Sequence, residues 1–141
     1  MEASLEGLGD AAETTRVIAI TQLTSTSPEA VKTEQLVDVP LVESVRNYAK
    51  LAQAAGLAGV VCSAHEAADI ASVTGPNFLR VTPGIRPAGS AIGDQSRVAT
   101  PSNAASMGSS AIVVGQPITK ADDPVAAYHA IRDDWNAGRK A

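Results

Sequence analysis

Residues 78–101, FLRVTPGIRPAGSAIGDQSRVATP, contain a strand, a polar loop and the start of a helix in direct succession. The run FLRVTPGI has the apolar, β-branched character of a strand and stops at Pro83 and Gly84. After the loop, Thr100 is placed as a helix N-cap, with Pro101 at the first helical position. A strand that leads through a loop into a capped helix is the repeating unit of a parallel α/β fold.

The same unit occurs four times, after an amphipathic N-terminal helix that carries Leu5 and Leu8 on one face. Strands are predicted at 16–22, 59–63, 78–85 and 111–115, and helices after a Ser27 N-cap and at 40–55, 65–73, 100–108 and 123–138. This alternation predicts a parallel sheet with right-handed crossovers. Two architectures fit it: a small open doubly wound sheet, or half of an eight-stranded (β/α) barrel. No linker divides the chain, so residues 1–141 are predicted to form one domain.

Composition excludes several classes of protein. The chain is 45% hydrophobic and 18% charged, which is typical of a globular domain and not of a disordered tail. A net charge of -4 without a basic block disfavours nucleic acid as a partner. No apolar run reaches the length of a membrane span. The N-terminus has no basic region of the signal-peptide kind, and the lone Cys62 fits a reducing cytoplasm.

Polar residues follow each predicted strand, at the end where parallel α/β proteins bind their ligands. They are Thr24, Ser25 and Thr26, then Ser63 and His65, then Arg86 and Gln95, and finally Gly115 and Gln116. Gly115 either lets a phosphate approach the backbone of a helix start or makes a tight turn only. Arg86 either clamps an anion or is a solvated surface arginine. The hydroxyls around Thr24 either bind a ligand or cap the next helix.

Catalytic groups are not evident in the sequence. Cys62 and His65 suggest a nucleophile pair, but a thiol inside an apolar strand is more often packed, and His65 more often opens its helix. His65 and His129 have no metal-ligand spacing to each other or to Cys62, so no metal is predicted. No carboxylate lies at a strand's carboxyl end, and of the lysines only Lys120 comes near one. A pair of titratable groups with opposed environments is therefore missing.

Four segments, taken together, resemble one known family. The runs ITQLTST, GLAGVVCSAHEA, FLRVTPGIRPAG with DQSRVATP, and GSSAIVVGQPITKADDPVAAYHAI resemble the orotidine 5'-phosphate decarboxylase family of the bacterial type, in order and at the family's spacing. The resemblance implies a (β/α)8 barrel that works as a homodimer. It also implies removal of carbon dioxide from orotidine monophosphate to give uridine monophosphate, without a cofactor or a metal.

The resemblance also implies roles for particular residues. Thr24 looks like a nucleotide contact and Arg86 like a phosphate ligand. Gln95 looks like the residue that bridges base and phosphate when its loop closes over the substrate. Gly115 and its neighbour Gln116 look like the phosphate-binding turn. The family usually has Arg at the position of Gln116, and losing one charge-assisted contact would weaken phosphate binding by about 1.5–3 kcal/mol.

A second departure concerns catalysis. The family's Asp-x-Lys-x-x-Asp motif, together with another Lys and Asp, belongs to the first half of the barrel and does not occur here. A full barrel needs about 250 residues, so the chain resembles the C-terminal half, strands 5–8, and none of its residues is expected to be catalytic. A second copy, a separate N-terminal half-barrel or the rest of a longer chain would complete it. The alternatives are an inactive half-barrel assembly module and, less favoured, a related barrel that acts on a sugar phosphate.

Overall fold

Four short strands form one parallel sheet in the computed structural model, which describes residues 1–89 and 98–140. The strands are β1 (Ile18–Ile20), β2 (Gly59–Val61), β3 (Leu79–Thr82) and β4 (Ala111–Ile112). Their order in the sheet is β1-β2-β3-β4, and every neighbouring pair is parallel. Doubly wound sheets reverse their strand order, whereas consecutive barrel units keep it. The fold is therefore the half-barrel of the two predicted architectures.

Helices connect the strands and cover one face of the sheet. They are α1 (Glu2–Glu6), α2 (Pro28–Thr33), α3 (Leu41–Ala54), α4 (Ala67–Thr74), α5 (Pro101–Ser106), α6 (Gln116–Thr119) and α7 (Pro124–Gly138). The three predicted N-caps are confirmed, because the side chains of Ser27, Thr100 and Asp123 each accept a hydrogen bond from the first turn of the following helix. Proline occupies the start of all three helices, as predicted.

Several element boundaries differ from the prediction. The strand predicted at 111–115 pairs only at Ala111 and Ile112, and the strand predicted at 16–22 only at Ile18–Ile20. Both are outer strands of the described sheet and pair on one side, so their ends lack a partner. The helix predicted from His65 begins as a single 3-10 turn, and α1 ends before Leu8 reaches its face.

The core lies between the sheet and the helices. Val60 of β2 and Cys62, just after that strand, pack against Val45 and Ala49 of α3 and Ile70 of α4. A second cluster joins the loop after β3 to α5 and α7 and contains Ile85, Ala99, Ala104 and Trp135. Cys62 is fully buried in the first cluster, which confirms the packing interpretation of this thiol.

The other face of the sheet is apolar and largely uncovered. Side chains alternate along a strand, so the residues flanking the helix-facing Ala19, Val60, Arg80 and Ile112 point to this second face. They are Ile18, Ile20, Val61, Leu79, Val81, Ala111 and Val113. Ile20 is 61% exposed and Val113 is 51% exposed. We call this surface the concave face, because it corresponds to the inside of a closed barrel.

Candidate functional site

The carboxyl ends of three strands meet in one open cleft of about 300 Å³. Its described lining comes from the loops after β1, β3 and β4, and consists of Thr24, Pro83, Gly84, Arg86, Val113, Gly115 and Gln116. Parallel strands all point the same way, so residues that are far apart in the chain meet at one edge. Four of the five predicted site residues, Thr24, Arg86, Gly115 and Gln116, are brought together here. The fifth, Gln95, lies outside the described residues.

Thr24 lies in the turn after β1 and is only 7% exposed. The main chain before it continues to follow the second strand, because the Thr21 N–H and hydroxyl both donate to Val61 O at 3.1 Å. The chain then turns, and Thr26 N–H donates to Leu23 O at 2.9 Å. The turn therefore holds Thr24 at the wall of the cleft.

Arg86 is placed by the turn that ends β3. Gly84 adopts a φ of 77°, in the left-handed region that favours glycine, and this bends the chain after Pro83. Ile85 forms a parallel bridge with Ala99, and Arg86 N–H donates to Ala99 O at 3.0 Å. The guanidinium Nη1 donates to Ile85 O at 3.0 Å. The backbone and one guanidinium nitrogen are thus fixed while the side chain lines the cleft.

Gly115 and Gln116 form the third wall. Gly115 caps the short helix α6, and its carbonyl accepts from the N–H groups of Ile118 and Thr119 at 2.9 and 3.0 Å. A Cβ built on Gly115 would meet no described atom within 4 Å, so the backbone of this turn faces open space. Pro117 has no N–H, and those of Ile118 and Thr119 are already paired, so the Gln116 N–H is the donor that the first turn of α6 can offer to an anion. The Gln116 side chain is exposed beside it.

Ser63, which follows β2, was among the polar residues expected at the strand ends but was not predicted to bind the ligand. The residue is fully buried. Its N–H donates to the buried carboxylate of Glu66 at 2.9 Å, and the two residues form a capping box at the turn that follows β2. The signal available in the sequence was its position at a strand end, which it shares with Thr24 and Arg86.

His65 takes no part in the cleft. Its Nε2 lies 3.2 Å from Val98 O, so the ring ties the loop after the second strand to the chain ahead of α5. Within residues 1–89 and 98–140, no group of three His, Cys, Asp or Glu side chains is arranged to hold a metal ion.

The residue types that line the cleft are compatible with an anionic ligand. Arg86 offers a permanent positive charge with a planar set of donors, which matches a phosphate or a carboxylate. The turn after Gly115 offers the backbone N–H of Gln116, and Thr24 and Gln116 bring a hydroxyl and an amide. No carboxylate or lysine is among the described residues that line the cleft. These residues can hold and orient an anion, but they do not form an acid–base pair.

No helix of the described chain is both long enough and apolar enough to cross a lipid bilayer.

Known proteins resemble this chain in both sequence and fold. The orotidine 5'-phosphate decarboxylase of Cutibacterium acnes is 97% identical over 141 residues, which are 100% of this chain and 60% of that protein. The enzyme of the same name from Streptococcus uberis is 58% identical over 137 residues, or 97% of this chain and 58% of that protein. The chain thus spans about 60% of the length of these curated relatives.

A solved structure extends the comparison to the fold. The crystal structure of orotidine 5'-phosphate decarboxylase from Lactobacillus acidophilus matches with a TM-score of 0.78 and 41% identity, over 96% of this chain and 57% of that one. A family model described as "Orotidine 5'-phosphate decarboxylase / HUMPS family" matches residues 1–131. The chain therefore belongs to the orotidine 5'-phosphate decarboxylase / HUMPS family, and its fold is the C-terminal half of that family's (β/α)8 barrel.

Proposed function

We propose that this chain is the phosphate- and nucleotide-binding half of an orotidine 5'-phosphate decarboxylase. One observation carries the proposal: Thr24, Arg86, Gly115 and Gln116, from three separate loops, line a single cleft at the carboxyl edge of the sheet. Relatives that are 97% and 58% identical to the chain bear the name of this enzyme. The substrate class is a nucleoside monophosphate, and its phosphate group is the part that Arg86 and the Gly115 turn would bind.

The reaction divides between binding and bond breaking. In decarboxylation, the bond between the pyrimidine C6 and the carboxyl carbon breaks, carbon dioxide leaves, and the electron pair on C6 takes up a proton. The family resemblance assigns that proton to a lysine of the Asp-x-Lys-x-x-Asp motif, which this chain lacks. The chain's own residues would hold the phosphate and fix the position of the base. Such remote binding energy contributes to catalysis only when the reacting groups share the same cavity.

The assembly that would bring those groups together is also a proposal. Residues 1–141 form a single C-terminal half-barrel, and an N-terminal half would complete the active cavity by supplying the catalytic lysine and aspartates. The chain alone is then a binding protein with negligible turnover. An inactive half-barrel module is the alternative, and it predicts no preference for a phosphate group at the cleft.

Titration with uridine monophosphate and with uridine tests the binding proposal. We expect the isolated chain to bind the nucleotide more tightly than the nucleoside, with chemical-shift changes at Thr24, Arg86 and Gly115. Arg86→Gln should weaken binding of the nucleotide by about 10- to 150-fold, the equivalent of roughly 1.5–3 kcal/mol, and leave the affinity for uridine unchanged.

The matched control is Arg132→Gln. Arg132 is exposed on α7, where it pairs with the adjacent Asp133, so its loss removes the same charge away from the cleft. Equal affinity of the chain for nucleotide and nucleoside, or an equal effect of the two substitutions, would refute the phosphate site.

A further inference from the structure

The side chains of Gln22 and Gln35 form a closed amide pair close to the turn that carries Thr24. Gln22 Nε2 donates to Gln35 Oε1 at 2.9 Å, and Gln35 Nε2 donates to Gln22 Oε1 at 3.0 Å. Gln22 is 5% exposed, whereas Gln35 lies at the surface. Removing the partner of a buried amide is destabilising, so Gln22 is held where Gln35 can reach it.

The pair encloses the segment that contains Thr24. Gln22 lies two residues before Thr24, and Gln35 lies just after α2, the helix that follows the turn. Before the turn, Thr21 is still bonded to β2 through its N–H and its hydroxyl. After the turn, α2 begins at its N-cap Ser27. The amide pair therefore closes a loop of chain that contains the turn and all of α2, and it adds a second constraint on where Thr24 lies.

Gln35 is itself held by the backbone at the end of α2. Its N–H donates to Ala30 O at 3.2 Å, and Val37 N–H donates to the carbonyl of the buried Val31 at 3.1 Å. Leu36, between them, has a φ of 57°, in the left-handed region that a leucine adopts only at an energetic cost. Such a helix end is well defined. The amide pair thus joins two fixed pieces of backbone.

The pair lies outside the lining of the anion cleft. Neither glutamine is among the described residues that line it, and Thr24 is the lining residue contributed by the loop after β1. Arg86 and Gly115 come from the loops after β3 and β4. Breaking the pair should therefore move Thr24 and leave the loops proposed to bind phosphate in place.

We propose that the Gln22–Gln35 pair positions Thr24 against the nucleoside part of a bound nucleoside monophosphate. Both glutamines are positioning residues, since they act on the ligand through the Thr24 turn. The inference rests on the proposed function and deepens it, because it separates selectivity for the nucleoside from affinity for phosphate. The nucleoside part depends on the segment 22–35, and the phosphate depends on Arg86.

Gln35→Ala tests the proposal from the exposed side of the pair. It removes both hydrogen bonds and leaves the buried Gln22 side chain in place. In the 141-residue chain, we expect the affinity for uridine monophosphate to fall by about 5- to 30-fold, and the affinity for inorganic phosphate to stay unchanged. Without ligand, the Thr26 N–H, which closes the turn onto Leu23 O, should exchange faster with solvent. Chemical-shift titration and hydrogen exchange measure these effects.

Gln53→Ala is the matched control. Gln53 is an exposed glutamine of α3 whose Nε2 donates to Thr74 O, away from the cleft, so its loss should leave both affinities unchanged. Gln35→Glu keeps an acceptor for Gln22 Nε2 and should cause a smaller loss of about 2- to 5-fold, again for the nucleotide alone. This variant carries the comparison if Gln35→Ala fails to fold.

The two ligands separate a positioning role from a general loss of stability. Equal losses for uridine monophosphate and inorganic phosphate in the Gln35 variants, or no loss for either, would overturn the positioning role. The proposed function would still stand in that case if the unsubstituted chain prefers the nucleotide to uridine. Equal affinity of the unsubstituted chain for nucleotide and nucleoside would instead refute the proposed function, and this inference with it.

Discussion

Arg86 is the only arginine or lysine among the described residues that line the anion cleft. Its backbone is held by Ala99 and its Nη1 by Ile85, so it enters the cleft with part of its freedom already removed. Preorganised donors bind an anion more tightly than mobile ones, because less conformational entropy is lost on binding. The other described wall is Gly115 with Gln116, which supplies backbone and amide donors but no charge.

Restoring a positive charge at Gln116 should strengthen the site. We expect Gln116→Arg to tighten binding of uridine monophosphate by about 10- to 150-fold, because one neutral contact to the phosphate becomes charge-assisted. Calorimetric titration at fixed ionic strength measures the change. Thr119→Arg adds the same charge on the same short helix outside the cleft lining, so it should have little effect. An equal gain from both substitutions would mean that net charge, not the turn, determines affinity.

Arg80 has a purely structural role at the opposite end of the sheet. It is 8% exposed, and its guanidinium donates to the carbonyl groups of Gly108 at 2.8 Å and Pro76 at 3.3 Å, among others. We expect Arg80→Met to lower the free energy of unfolding by about 2–4 kcal/mol, because several part-buried carbonyl groups and the buried carbonyl of Phe78 would lose their charged donor. Urea denaturation measures this loss. Arg132→Met, at an exposed site, should stay within about 0.5 kcal/mol of the unsubstituted chain, and similar losses for the two would contradict the assignment.

At the scale of single residues, the sequence predicted the positions whose placement follows from strand direction. Thr24, Arg86 and Gly115 could be placed at one edge because parallel strands share a direction. Arg80 also donates to the carbonyl of Gly108, which is remote in the chain, so no local pattern predicts that contact. Ser63 and Glu66 have the Ser-x-x-Glu spacing of a capping box, and the structure forms it.

At the scale of elements, helix starts were predicted well and strand lengths poorly. The caps at Ser27, Thr100 and Asp123 act within one turn, so the sequence alone contains the whole interaction. The extent of a strand depends on its neighbours, and β4 has a described partner on one side only. The apolar run 111–115 therefore overestimates the paired segment.

Gly59 allows the close approach of β2 and β3. A Cβ at this position would collide with the Cβ and carbonyl of Leu79, its partner in the sheet. Gly59→Ala should therefore lower the free energy of unfolding by about 1–3 kcal/mol, through displacement of one strand. Thermal and urea unfolding measure it. Gly7→Ala is the control, because Gly7 ends α1 with an ordinary helical φ of -66°. If Gly59→Ala proves no worse than Gly7→Ala, the strands are not as tightly apposed as described.

At the scale of the whole molecule, helices cover one face of the sheet, while the concave face is left largely uncovered. The core clusters lie between sheet and helices, while Ile20 and Val113 remain exposed on the concave face. The sequence predicted a half-barrel through the number and order of its strand–helix units. Which polypeptide fills the concave face depends on surfaces outside the chain, so the sequence pattern left the second copy and the N-terminal half as open alternatives.

The most direct test of the central claim is decarboxylation of orotidine monophosphate by this chain mixed with a polypeptide containing the family's first four β/α units. We expect no turnover by either part alone and turnover by the mixture. The rate of the mixture should be lower with Arg86→Gln, because the phosphate loses its charged partner. The Arg132→Gln variant should match the unsubstituted chain in the mixture. Two results would contradict the proposed division between binding and catalysis. One is turnover by the isolated chain. The other is a stably associated mixture that binds uridine monophosphate but releases no carbon dioxide.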